Sequence, residues 1–116
     1  MKISEIRDLL GANVLTGEDV LDHEVASACC SDMMSDVLAY VKDQGVLITG
    51  LVNPQVVRTA NMMDMVCIVF ARGKEPTEEM VDLAKECGIA VMCTKKRAFE
   101  ASGILYLAGL SRNARD

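Results

Sequence analysis

The sequence predicts a single α/β domain built on a mostly parallel β-sheet with helices on both faces. Three observations carry that expectation. Four short apolar runs, Val25–Cys30, Val46–Thr49, Val66–Phe70 and Ile89–Cys93, recur along the chain. None alternates cleanly between apolar and polar residues, as a strand with one wet face would. Segments of helical periodicity separate them, and a strand–helix rhythm of this kind builds a parallel sheet with covered faces.

Each element has its own local signals. Ser4 is placed to cap a short helix carrying Ile6, Leu9 and Leu10, and Ala12–Leu15 then reads as a short strand. After the first run, Asp32 reads as the cap of a helix burying Met34, Val37, Leu38 and Val41, with Gly45 as its stop. Asn53 and Pro54 have the N-cap and first-position chemistry of the next helix, whose stripe is Val56, Val57, Ala60 and Met63. Thr77 should cap a fourth helix with Glu78 and Glu79 in its first turn, favourable against the helix dipole, and Gly88 should end it. The last helix, from Arg97 to about Leu110, is apolar on more than one side through Phe99, Ile104, Leu105, Leu107 and Leu110. Such a helix needs deep burial or a partner. A homodimer through this helix, using Leu107 and Leu110, is expected.

Length and charge exclude several classes. The chain has 116 residues, 51% of them apolar, which suits one core and one domain spanning 1–116. The net charge is −5 and aromatic residues make up only 3%, which argues against nucleic acid, both by electrostatics and by the want of a stacking platform. No apolar run is long enough to cross a bilayer, and the first residues lack a signal-peptide pattern, so no membrane association and a cytoplasmic location are expected. The 5 cysteines form no C-x-x-C pair and mostly sit in apolar runs, which reads as reduced, buried thiols rather than disulfides or a metal site.

Catalytic patterns are missing. The chain contains no P-loop, no dinucleotide fingerprint and no nucleophile elbow, and the lone His23 has no nucleophile beside it in sequence. Asp32, Asp36 and Asp64 do not compose a convincing cation cluster, since Asp64 falls at the wrong end of its strand. The chain is therefore expected to be no enzyme and to need no cofactor or metal. In parallel sheets, ligands sit beyond the C-terminal ends of the strands. That rule brings Thr49, Asn53, Arg72, Gly73, Thr94 and Lys95 together, with Lys74 and Lys96 on the same rim. Arg72 offers a planar fork and Gly73 a close backbone approach, which would suit an anionic small molecule or nucleotide.

Residues Val14–Gly17, Leu21–Val25, Ser31–Met33, Val46–Gly50, Ala71–Pro76 and Leu83–Val91 together resemble the DRTGG domain family, over about residues 12–110. The resemblance implies a small α/β fold similar to the N-terminal domain of HPr kinase/phosphorylase. It also implies a regulatory role, since such domains occur alone, beside CBS domains or within long bacterial phosphotransacetylases. The family's Gly-Asp-Arg is here replaced by Leu51-Val52-Asn53-Pro54, and its Thr-Gly-Gly by Ala71-Arg72-Gly73. The resulting expectation is a non-catalytic regulatory or sensory module that binds a small anionic ligand or a partner protein. The alternative is a small enzyme or enzyme subunit acting on a phosphorylated or carboxylated metabolite.

Overall fold

The structure, a computed structural model, describes residues 1–40 and 44–110. The elements follow in the order α1 (Ile3–Leu10), β1 (Asn13–Thr16), a 3-10 turn (Glu18–Val20), β2 (Ser27–Cys30), α2 (Met34–Tyr40), β3 (Gly45–Thr49), α3 (Pro54–Met62), β4 (Cys67–Phe70), α4 (Glu78–Cys87), β5 (Ala90–Cys93) and α5 (Ala98–Leu107). They form one five-stranded sheet in the order β1-β5-β4-β3-β2. β2, β3, β4 and β5 run parallel, and β1 closes the β5 edge antiparallel. The expected fold class is what the chain adopts.

Alternation along the strands divides the core into two layers. Val46, Ile48, Cys67, Val69, Ala90 and Met92 point to the face covered by α1 and α5, where they meet Ile3, Ile6, Leu10, Ala101 and Leu105. Leu47, Ile68, Phe70 and Val91 point the other way, into the layer of α2, α3 and α4 with Val37, Val57, Ala60, Met80 and Ala84. Because both faces are covered, β3 and β4 are buried at every position, which explains why their sequences show no polar alternation.

Asn53 caps α3 by accepting from the backbone N–H of Gln55 (2.8 Å), and Thr77 caps α4 by accepting from Met80 (3.3 Å). Gly88 ends α4 in the left-handed conformation.

Several local expectations need correction. α1 starts at Ile3 rather than after Ser4, because the N–H groups of Ile3 and Ser4 donate to the carbonyls of His23 and Leu21, and the side chain that acts at its start is Glu5, which accepts from the Lys2 N–H (2.9 Å). Asp32 does not cap α2; its carboxylate is held by the end of β3. Gly45 is the first residue of β3, not a helix stop, and Val41 lies outside the described residues. Of the cysteines only Cys67 is fully buried; Cys29, Cys87 and Cys93 are partly so, and Cys30 on the edge strand is exposed.

The last helix divides its apolar residues between two fates. Leu110 is 1% exposed and packs with the α1–α5 layer, so it belongs to the intramolecular core and not to an interface. Leu107 is 80% and Phe99 92% exposed. No described helix is long and apolar enough to cross a membrane.

Candidate functional site

The C-terminal ends of the four parallel strands are tied to one another by hydrogen bonds. At the end of β2, one carboxylate oxygen of Asp32 accepts from the Thr49 hydroxyl (2.9 Å) and from the Gly50 N–H (2.7 Å). Thr49 Oγ1 in turn accepts from the Leu51 N–H (3.1 Å), so this buried hydroxyl fixes the path of the chain leaving β3. The Gly50 N–H bond holds the Asp32 carboxyl below its ordinary range, against the opposing effect of burial; the Thr49 hydroxyl and the Arg72 charge pull in the same direction as Gly50.

Beyond β4, Arg72 and Gly73 both adopt left-handed backbone, with φ of 60° and 71°. The Arg72 N–H donates to the Lys96 carbonyl (2.8 Å) and the Gly73 N–H to the Thr94 carbonyl (2.9 Å), which straps the β4 exit onto the β5 exit. A non-glycine residue in this region costs roughly 1–2 kcal/mol. The Arg72 side chain leans over Gly50, where an added Cβ would come within 2.8 Å of Nη2. Glycine at position 50 leaves the guanidinium its place.

Beside this strap lies an open cavity of about 510 Å³ between the start of β1 and the β5 exit. Its lining is mixed: Leu15 is its exposed apolar side chain, Gly73, Thr94, Lys95 and Lys96 come from the β4 and β5 exits, and Glu75 and Cys93 also reach its surface. Burial, with a contribution from the Glu75 carboxylate, pushes the Cys93 thiol up to about 11, so at neutral pH it is a protonated thiol and no nucleophile. Thr94 is buried, its hydroxyl donating to the Leu10 carbonyl (2.8 Å) and accepting from the Lys96 N–H (3.2 Å).

The six residues singled out in the sequence therefore fall into two neighbouring groups. Gly73, Thr94 and Lys95 line the cavity. Thr49, Asn53 and Arg72 lie on the β3–β4 side of the same edge, where Thr49 binds Asp32, Asn53 caps α3 and Arg72 covers Gly50. Asn13 and Leu15 also line the cavity and are not legible in the sequence, because their position depends on β1 pairing antiparallel with β5. His23 is exposed and precedes β2, away from the strand exits. Among the described residues, no group of three His, Cys, Asp or Glu side chains is arranged to hold a metal ion.

The family model for the DRTGG domain matches residues 5–108. No curated protein matches the sequence. Among solved structures, the CBS and DRTGG domains of the regulatory region of Clostridium perfringens pyrophosphatase, complexed with the activator diadenosine tetraphosphate, are similar with a TM-score of 0.76 at 19% identity. The likeness covers 90% of the present chain and 45% of that one, so the chain spans less than half of its structural relative.

Proposed function

The chain belongs to the DRTGG domain family, and we propose on that footing that it is a non-catalytic regulatory module that binds a small anionic ligand at the exits of β4 and β5. The observation that carries this reading is the cavity of about 510 Å³ lined by Lys95 and Lys96 together with the apolar Leu15. Its size suits a ligand of nucleotide dimensions, which pockets of ~300–1,000 Å³ accommodate. Its mixed lining suits a molecule that carries a phosphate or carboxylate beside an apolar or planar body. The clostridial regulatory region was crystallised with a dinucleoside polyphosphate, which makes nucleoside phosphates the first class to try. A cytoplasmic location agrees with such a ligand.

The test is calorimetric titration with nucleoside mono-, di- and polyphosphates, diadenosine tetraphosphate included, on wild type, on Lys95→Ala with Lys96→Ala, and on Arg72→Ala. A charge-assisted hydrogen bond contributes ~1.5–3 kcal/mol. Loss of both lysines should therefore weaken binding at least about tenfold, while Arg72→Ala should matter less because its side chain leans toward Gly50. Equal affinity in wild type and the double variant would remove the cavity from consideration. Turnover of a bound compound would favour the small-enzyme alternative, and silence across the panel would favour a partner protein as the ligand.

Self-association through the exposed side of α5 is part of the same proposal, with Leu107, Phe99 and Tyr106 as its contact residues and Leu110 left to the core.

A further inference from the structure

We infer that the second copy docks not on α5 alone but on a composite surface formed by α5 and the edge strand β2, joining the two sheets into one. The inference rests on the self-association proposed above and deepens it.

Area is the first argument. Phe99, Tyr106 and Leu107 are 92%, 56% and 80% exposed. A large aromatic side chain carries roughly 150–250 Å², so Phe99 and Tyr106 at those exposures present about 300 Å², and Leu107 brings the face to on the order of 400 Å² per copy. A specific dimer buries ~800 Å² on each partner. The helix face therefore supplies about half of what a stable dimer needs, and further surface next to it must join.

β2 is that surface. It is an edge strand, paired among the described residues only with β3, and Ala28 and Cys30 are exposed. It borders α5 directly: Ala28, Cys29 and Cys30 share a cleft of about 150 Å³ with Ser102 and Tyr106. Edge strands are normally blunted by charge, proline or a bulge. The opposite edge has such a device, a register irregularity in β1 between Val14 and Thr16. β2, Ser-Ala-Cys-Cys, is short but carries no charge, proline or bulge, and its register with β3 is regular throughout.

Charge selects the occupant. Glu100 is the one charged residue within α5, and β2 carries none. Among the described residues of these two elements, a partner recognised by opposite charge would have only Glu100 to meet. A second copy of a chain with net charge −5 repels at every acidic surface and approaches most easily where charge is absent. Symmetry then closes the geometry. A two-fold axis perpendicular to the sheet pairs β2 with β2 antiparallel and sets both α5 helices on the same face, where Phe99, Gly103 and Tyr106 of the two copies meet. An added Cβ at Gly103 would have no neighbour within 4 Å among the described residues, so the second helix has room to come close at that position.

Sedimentation equilibrium of the full chain under reducing conditions, at micromolar concentration, tests the inference with Phe99→Glu and Ala28→Lys. Both residues are exposed, so neither change disturbs the core. The expected result is a dimeric wild type, weakened at least about tenfold by either variant, an unpaired charge in a closed contact being costly. Amide exchange in Ser27–Cys30 should slow in the wild-type dimer and speed up in Phe99→Glu. Dissociation by Phe99→Glu with Ala28→Lys still fully dimeric overturns the role of β2 while leaving the α5 contact standing. A monomeric wild type overturns both, and one that dimerises only after removal of residues 111–116 gives the edge to the chain's own tail.

Discussion

Asp32 is the residue whose removal should report most directly on how the strand exits are held. Replacing it with Ala deletes the acceptor for the Thr49 hydroxyl and for the Gly50 N–H at once. Hydrogen bonds to a charged group contribute ~1.5–3 kcal/mol each when shielded. This carboxylate is largely exposed, so the range for helix caps, ~0.5–2 kcal/mol, is the better guide. A loss of about 1–2 kcal/mol should lower the thermal midpoint by roughly 4–8 °C in a domain of this size.

The pH dependence sharpens the test. The folded-state pKa of Asp32 is depressed, chiefly by the Gly50 N–H. Its charge-dependent contribution is therefore present above the unfolded value of ~3.9 and is lost as pH falls through the lower folded value. Urea denaturation of wild type and Asp32→Ala should show the full difference near neutral pH and a smaller one in strong acid. Asp32→Asn keeps one acceptor oxygen and loses the charge, so it should fall between the two at neutral pH and join the wild type in acid. An Asp32→Ala variant as stable as wild type at neutral pH, or a difference unchanged by acid, would refute the account of this loop.

Further outcomes follow from the same edge and from the core. Thr94→Val keeps the shape but strands the Leu10 carbonyl and the Lys96 N–H, and should cost about 1–3 kcal/mol in urea unfolding. Thiol titration of the native protein near neutral pH should find Cys30 fast and Cys67 unreactive until unfolding, since Cys67 is fully buried with its thiol pushed up strongly by burial; rapid reaction at Cys67 would contradict the core packing. Arg72→Gly should be more stable than Arg72→Ala by roughly 1–2 kcal/mol, because both lack the guanidinium and differ chiefly in the cost of left-handed backbone; equal melting would mean that the strain at position 72 is relieved in some other way.

What was legible in the sequence was whatever depends on neighbours along the chain. The caps at Asn53 and Thr77, the stop at Gly88 and the doubly covered strands β3 and β4 are all determined within a few residues, and all are found. Asp32 shows where that logic ends. Its residue type and position suit a cap, yet its partners lie 17 and 18 residues away, and only the parallel pairing of β2 with β3 brings them to it. Leu107 and Leu110 show the same limit: in a helix apolar all round, the sequence does not say which leucine meets the sheet, and the packing of α5 decides for Leu110.

The replaced family motif follows the same division. Where the family carries Thr-Gly-Gly, the chain reads Ala71-Arg72-Gly73, and the backbone at 72 and 73 is left-handed at both positions. Glycine suits such a turn without strain; arginine adopts it at position 72 at an energetic cost, and its side chain rests over Gly50. The turn straps the β4 exit to the β5 exit through the Lys96 and Thr94 carbonyls. Arg72 therefore sets its side chain on the β3–β4 side, while the same turn carries Gly73 to the cavity rim. The side chain at position 72 and the lining of the cavity can vary separately, because they lie on different sides of one strap.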